Sequence, residues 1–88
     1  MRSPLKQLRK DVSQAIDGMT DYPIGVMISA VFRQRSDYTH FLRLQHQTKF
    51  IEIGLMPHDI ALPSHDFIER HVSPNVAKLV AAIDPRAA

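Results

Sequence analysis

Two of the chain's five histidines are each followed directly by an aspartate. Met56-Pro57-His58-Asp59-Ile60 is echoed by Pro63-Ser64-His65-Asp66-Phe67, and Glu69 and His71 follow. Imidazole and carboxylate suit zinc and other divalent ions. Adjacent His-Asp residues rarely ligate one ion together, and His65 with Glu69 supplies only two ligands from one helix face. The favoured reading is local: Asp59 and Asp66 support the first turns of short helices, through hydrogen bonds to free amides and the helix dipole. No metal or other cofactor is expected, at His58, His65 and His71 or elsewhere. His40 and His46 fall on one strand face but about 20 Å apart at strand pitch, too far to share an ion. A small nuclease using His40 as general base is the least favoured reading, because a general base needs an orienting partner and a pocket.

Other chemistries are excluded by what the chain lacks. It has no cysteine, so disulfides, thiolate zinc sites, iron–sulfur clusters and thiol nucleophiles are out. Gly18, Gly25 and Gly54 are isolated, so no phosphate-cradling loop or nucleophile elbow exists. The expectation is a protein that is not an enzyme.

The elements that must position these residues follow from spacing. With 88 residues, 44% apolar and 23% charged, the chain suits one small domain, 1–88, with 85–88 frayed. Ser3-Pro4 marks a helix start, and Leu5, Leu8, Val12, Ala15, Ile16 and Met19 form one apolar stripe. Gly18 is the expected stop, in the left-handed conformation. Residues 24–32 read as a strand buried on one face and partly covered on the other, and 33–37 as a hairpin turn. Residues 38–45 alternate around Leu42 and Leu44 and read as a second strand, with a helix from Asp37 as the alternative. Residues 50–55 make a third, with Ile51, Ile53 and Leu55 inward. Ser64 is expected to cap a short helix to about Val72, and Ser73-Pro74 to start another, in which Val76, Leu79, Val80 and Ile83 recur at helical spacing. The predicted fold is α+β in two layers: an N-terminal helix, a three-stranded antiparallel meander and one or two C-terminal helices (α-β-β-β-α-α).

This order of helix, meander and helix resembles that of the double-stranded-RNA-binding domain and of small toxin nucleases built on it, in element order alone. The segment Ser73-Pro74-Asn75-Val76-Ala77-Lys78 has one lysine where such domains present a lysine-rich helix start. Small dimeric secretion chaperones share the skeleton too, but are usually acidic, against a pI of 9.3 here. Charge is uneven. Residues 1–49 hold eight Lys/Arg against four Asp, and 50–88 hold three against five Asp/Glu. A nucleic-acid (RNA) module using Arg33, Arg35, Tyr38, Arg43 and Lys49 is the alternative reading.

The first choice is a protein-binding module. With the helices on one sheet face, the other carries Met27, Val31, Phe41 and Phe50 among Ser29, Arg33, Arg43, Gln45 and Glu52. An apolar centre with an arginine-bearing polar rim is the make-up of a protein interface. Met27, Val31, Phe41, Arg43 and Phe50 are the expected contact residues, and the competing possibility is that residues 56–72 fold back over them. The expected role is a regulator or inhibitor of a larger assembly that works as a homodimer. No stretch is apolar enough to span a membrane, the basic N-terminus has no signal-like apolar run, and a cytoplasmic location is expected.

Overall fold

Helix α1 (Pro4–Asp17) starts where Ser3 and Pro4 place it. Pro4 has no N–H to leave unsatisfied, and the Ser3 carbonyl accepts the Gln7 amide at 3.1 Å. The Ser3 side chain makes no capping bond. Leu8, Val12 and Ile16 are buried, while Met19, past the helix end, stays 39% exposed. Gly18 ends the helix in the right-handed region (φ −84°), not the left-handed one expected. The amides of Gly18 and Met19 bond three residues back, to Ala15 and Ile16, so a tight last turn closes the helix without a positive φ.

The computed structural model describes residues 3–31 and 38–87. Phe32 and the turn expected at 33–37 therefore lie outside the described residues. Strands β1 (Gly25–Ala30), β2 (His40–His46) and β3 (Lys49–Leu55) form one antiparallel sheet in the order β1-β2-β3. Residues 40–46 are strand, so the helical alternative is set aside. Gln47, at φ 55°, supplies the positive φ of the tight turn into β3. Leu42 pairs with Ile28 on one side and Ile53 on the other, and Leu44 with Val26 and Ile51. These side chains share one face because strand residues alternate.

That face meets the helices. Leu42, Leu44, Ile53 and Leu55 are buried against Leu8, Val12 and Ile16 of α1 and Val76 and Leu79 near the C-terminus, with Ile24, Val26, Ile28 and Ile51 half-buried around them. Each fully buried aliphatic side chain contributes roughly 1.5–3 kcal/mol. Ala30 has the inward parity but is exposed at the end of β1.

After β3 comes a one-turn helix, α2 (Pro57–Ile60), whose Asp59 carboxylate accepts the Met56 amide at 2.9 Å. The rest is one helical run: α3 (His65–Phe67), a π-helical turn (Ile68–Val72) and α4 (Ser73–Ile83). Two expectations change here. The Ser64 side chain makes no cap bond, and its hydroxyl instead donates to Asp11 on α1 at 2.5 Å. Ser73-Pro74 opens α4 as expected, but not as a separate helix, because Ser73 is itself helical (φ −56°, ψ −48°) and the run continues without a break. Its amide reaches back five residues to the Ile68 carbonyl. Pro74 has no N–H, and in a regular helix its ring would crowd the Arg70 carbonyl; the widened turn accommodates both. The helix ends at Ile83, and Pro85–Ala87 form a 3-10 turn where fraying was expected, held by Asp84 Oδ1 on the Arg86 amide at 3.0 Å. The architecture is the α+β order α-β-β-β-α-α. No helix among the described residues is long and apolar enough to cross a membrane.

Candidate protein-binding face

The sheet face turned away from the helices is built from alternate residues of all three strands. Across it, Met27 lies opposite Arg43 and Arg43 opposite Glu52; Ser29 lies opposite Phe41 and Phe41 opposite Gly54; Gln45 lies between Gly25 and Phe50. Residues 56–72 do not fold over this face, and β1 is not partly covered on it as expected. Met27 is 58% exposed, Phe50 49% and Phe41 37%. Residues 56–72 instead run against the helix side, where Ser64 reaches α1.

Arg43 is the hub of this face. Its Nη2 donates to Glu52 Oε2 at 3.2 Å, and its guanidinium carbon sits 4.4 Å from the centre of the Phe50 ring. Glu52 is directly across the ladder and Phe50 is on the diagonal, which is where a long side chain reaches. An exposed pair of this kind is worth a few tenths of a kcal/mol, so its effect is to hold the guanidinium over the ring more than to hold the sheet. Beside it, Gly25, Met27, Arg43, Gln45 and Gln47 line an open depression of about 310 Å³.

The other end of the face carries an aromatic pair that spacing alone did not reveal. The Tyr38 and Phe41 ring centres are 6.2 Å apart, and the Tyr38 ring lies over Gly54. A Cβ at position 54 would fall 2.6 Å from that ring, so only glycine admits this approach. A glycine in the interior of a strand was the available signal. Val31 is half-buried, so of the five expected contact residues it offers less surface than Met27, Phe41 and Phe50.

Among the described residues, the three expected to bind nucleic acid, Tyr38, Arg43 and Lys49, do not form a basic patch. Arg33 and Arg35 lie outside the described residues. Arg43 is engaged by Glu52 and Phe50, Tyr38 packs on Gly54, and Lys49 opens β3 beside the Gln47 turn. Exposed Lys6, Arg9 and Lys10 are on α1, in the other layer.

Four of the five histidines, His40, His46, His58 and His71, are placed by contacts with their neighbours. His40 Nδ1 lies 3.1 Å from the Thr39 hydroxyl, and that hydroxyl faces the Leu55 carbonyl. His46 donates from Nδ1 to the Pro23 carbonyl at 2.8 Å and meets the Tyr22 ring edge-on. His58 pairs with its neighbour Asp59, and Asp66 with Arg70 one helical turn on, both at 3.2 Å. His71 lies against the Phe67 ring. Among the described residues no three His, Asp or Glu side chains converge to hold a metal ion.

Compared with known proteins, the chain matches no family model, no curated protein and no solved structure.

Proposed function

We propose that this chain is a non-enzymatic protein-binding module, a homodimer that regulates or inhibits a larger assembly by docking its outer sheet face on a protein partner. The observation that carries the reading is the exposure of Met27, Phe41 and Phe50 on one face around an arginine that is already oriented. Large flat side chains lose little conformational freedom on docking, and arginine beside aromatics is the composition of interface hot spots. The face is charge-balanced by Arg43 and Glu52, which favours a partner surface with an apolar centre over a polyanion.

The test uses tagged protein as bait in an extract of its source cells, with Phe41→Asp and Phe50→Asp beside the unaltered chain. Arg9→Asp, on exposed α1, is the control. Proteins retained by the unaltered chain and by Arg9→Asp are expected to bind the two face variants at least about tenfold more weakly, a loss of roughly 1.4 kcal/mol. Thermal melts of the variants should stay near that of the parent. Equal retention by the face variants, or their unfolding, would overturn the reading.

A further inference from the structure

The sheet has a second feature, independent of its outer face: among the described residues, no strand pairs with the far side of β1, its free edge. Sheet edges are normally blunted by charge, proline, a bulge or a covering element, since unpaired backbone groups invite another strand. β1, Gly-Val-Met-Ile-Ser-Ala, has no charged residue and no proline, and its pairing with β2 runs unbroken from Gly25 to Ala30. The Val31 amide bonds to the Thr39 carbonyl, continuing that register. In an antiparallel ladder, alternate residues exchange hydrogen bonds. Gly25, Met27 and Ser29 therefore turn their backbone groups to β2, while Val26, Ile28 and Ala30 turn theirs to the free edge. The inward side chains of this strand, Val26 and Ile28, are only half-buried although they border the core.

We infer that the free edge of β1 pairs antiparallel with β1 of a second copy of this chain, about a two-fold axis at Ile28, giving one six-stranded sheet. The strand's own pattern selects this occupant. An uncharged edge offers nothing to attract a charged strand and nothing to repel its own copy. Pairing Ile28 with Ile28 keeps hydrogen-bonding residues opposite each other and matches Val26 with Ala30. Inward side chains then meet inward ones, and the half-buried Val26 and Ile28 gain apolar neighbours across the seam. Met27 falls opposite the partner's Ser29 on the outer face, which becomes twice as wide and stays open. Isologous two-fold pairing is the commonest route to a homodimer, and a small domain without disulfides gains most from it.

The test is light scattering after size-exclusion chromatography at micromolar concentration, on the unaltered chain, Ala30→Pro and Phe41→Asp. Ala30 is exposed, and its amide points to the free edge. Proline there leaves the β1–β2 ladder intact and blocks the outer one. The unaltered chain and Phe41→Asp should run at twice the 10.0 kDa chain mass, and Ala30→Pro at the chain mass with unchanged circular dichroism. A monomeric unaltered chain, or a dimer lost in Phe41→Asp and kept in Ala30→Pro, would overturn the edge pairing. Amide hydrogen exchange on the unaltered chain gives a readout that does not depend on a variant folding. The Val26, Ile28 and Ala30 amides should be protected, and rapid exchange at all three would sink the proposal. Phe41→Asp separates the two readings, since it should lose the protein partner and keep the dimer.

Discussion

At the scale of single residues, the contact that ties the helical layer together is the Asp11 carboxylate. It accepts the Ser64 hydroxyl at 2.5 Å and the Gln7 side-chain amide at 2.8 Å. Ser64 is only 4% exposed, so its hydroxyl needs a partner, and Asp11 is that partner. The Ser64 bond first and the Gln7 bond next hold the Asp11 carboxyl below its ordinary value of 3.8, against an opposing effect of burial that outweighs the small help from the Lys10 charge. A carboxyl lowered on folding stabilises the protein above its unfolded pKa, and that contribution disappears as the pH falls through the folded one. Ser64→Ala should therefore cost about 1 kcal/mol at pH 7, near the low end for a hydrogen bond to a charged group because Asp11 is partly solvated. The gap between variant and parent should shrink below about pH 4, in urea titrations at both pH values. A gap that stays constant would mean that the Ser64 hydroxyl contributes equally whether Asp11 is charged or neutral.

At the scale of elements, the helical run from His65 to Ile83 sets local signals against the phase of the core. Ser73-Pro74 reads as a helix start because a proline without an N–H fits a first turn. The core decides otherwise, because Phe67 and Val72 before the proline must be buried on the same side as Val76 and Leu79 after it. The π turn supplies the extra residue that brings both halves into phase. Restoring a regular helix would regain one hydrogen bond, worth about 1 kcal/mol, and rotate Phe67 away from the core at roughly 1.5–3 kcal/mol. Pro74→Ala should therefore keep the wide turn, with the chemical shifts of residues 68–72 unchanged and stability within about 1 kcal/mol of the parent. Collapse to a regular helix would show that the proline, and not core phase, holds the turn open. The same contrast explains what the sequence made legible. The Leu42/Leu44 and Ile51/Ile53 alternation fixes each strand's faces by local chemistry, and the α-β-β-β-α-α order follows. The path of residues 56–72 depends on Ser64 finding Asp11 across the fold, and no local spacing carries that. The outer face was readable as a set of residues, whereas its exposure was a tertiary outcome, as was the Tyr38 ring on Gly54.

At the scale of the whole molecule, two polar links among the described residues tie the loop before β1 to distant parts of the chain. The Tyr22 hydroxyl donates to Asp84 Oδ2 at 3.2 Å, joining the loop that feeds β1 to the end of α4, and His46 holds the same loop through the Pro23 carbonyl. These links clamp the approach to β1 from the helix side and leave both its free edge and the outer face untouched. Burial first, then the bond to Asp84 and its negative charge, push the Tyr22 phenol above its ordinary value of 10.0. A phenol raised on folding contributes fully below its unfolded pKa, and the contribution is lost as pH rises through the folded one. Tyr22→Phe should thus lower the melting temperature at pH 7, and the difference should close as pH climbs above about 10. Lysines titrating in the same range affect parent and variant alike, so the difference between the two melts isolates Tyr22. Because the clasp is remote from the sheet edge and the outer face, Tyr22→Phe should leave dimer mass and partner retention at the parental level. A variant that melts with the parent at every pH would place the role of Tyr22 in ring packing against His46, with no contribution from its hydroxyl.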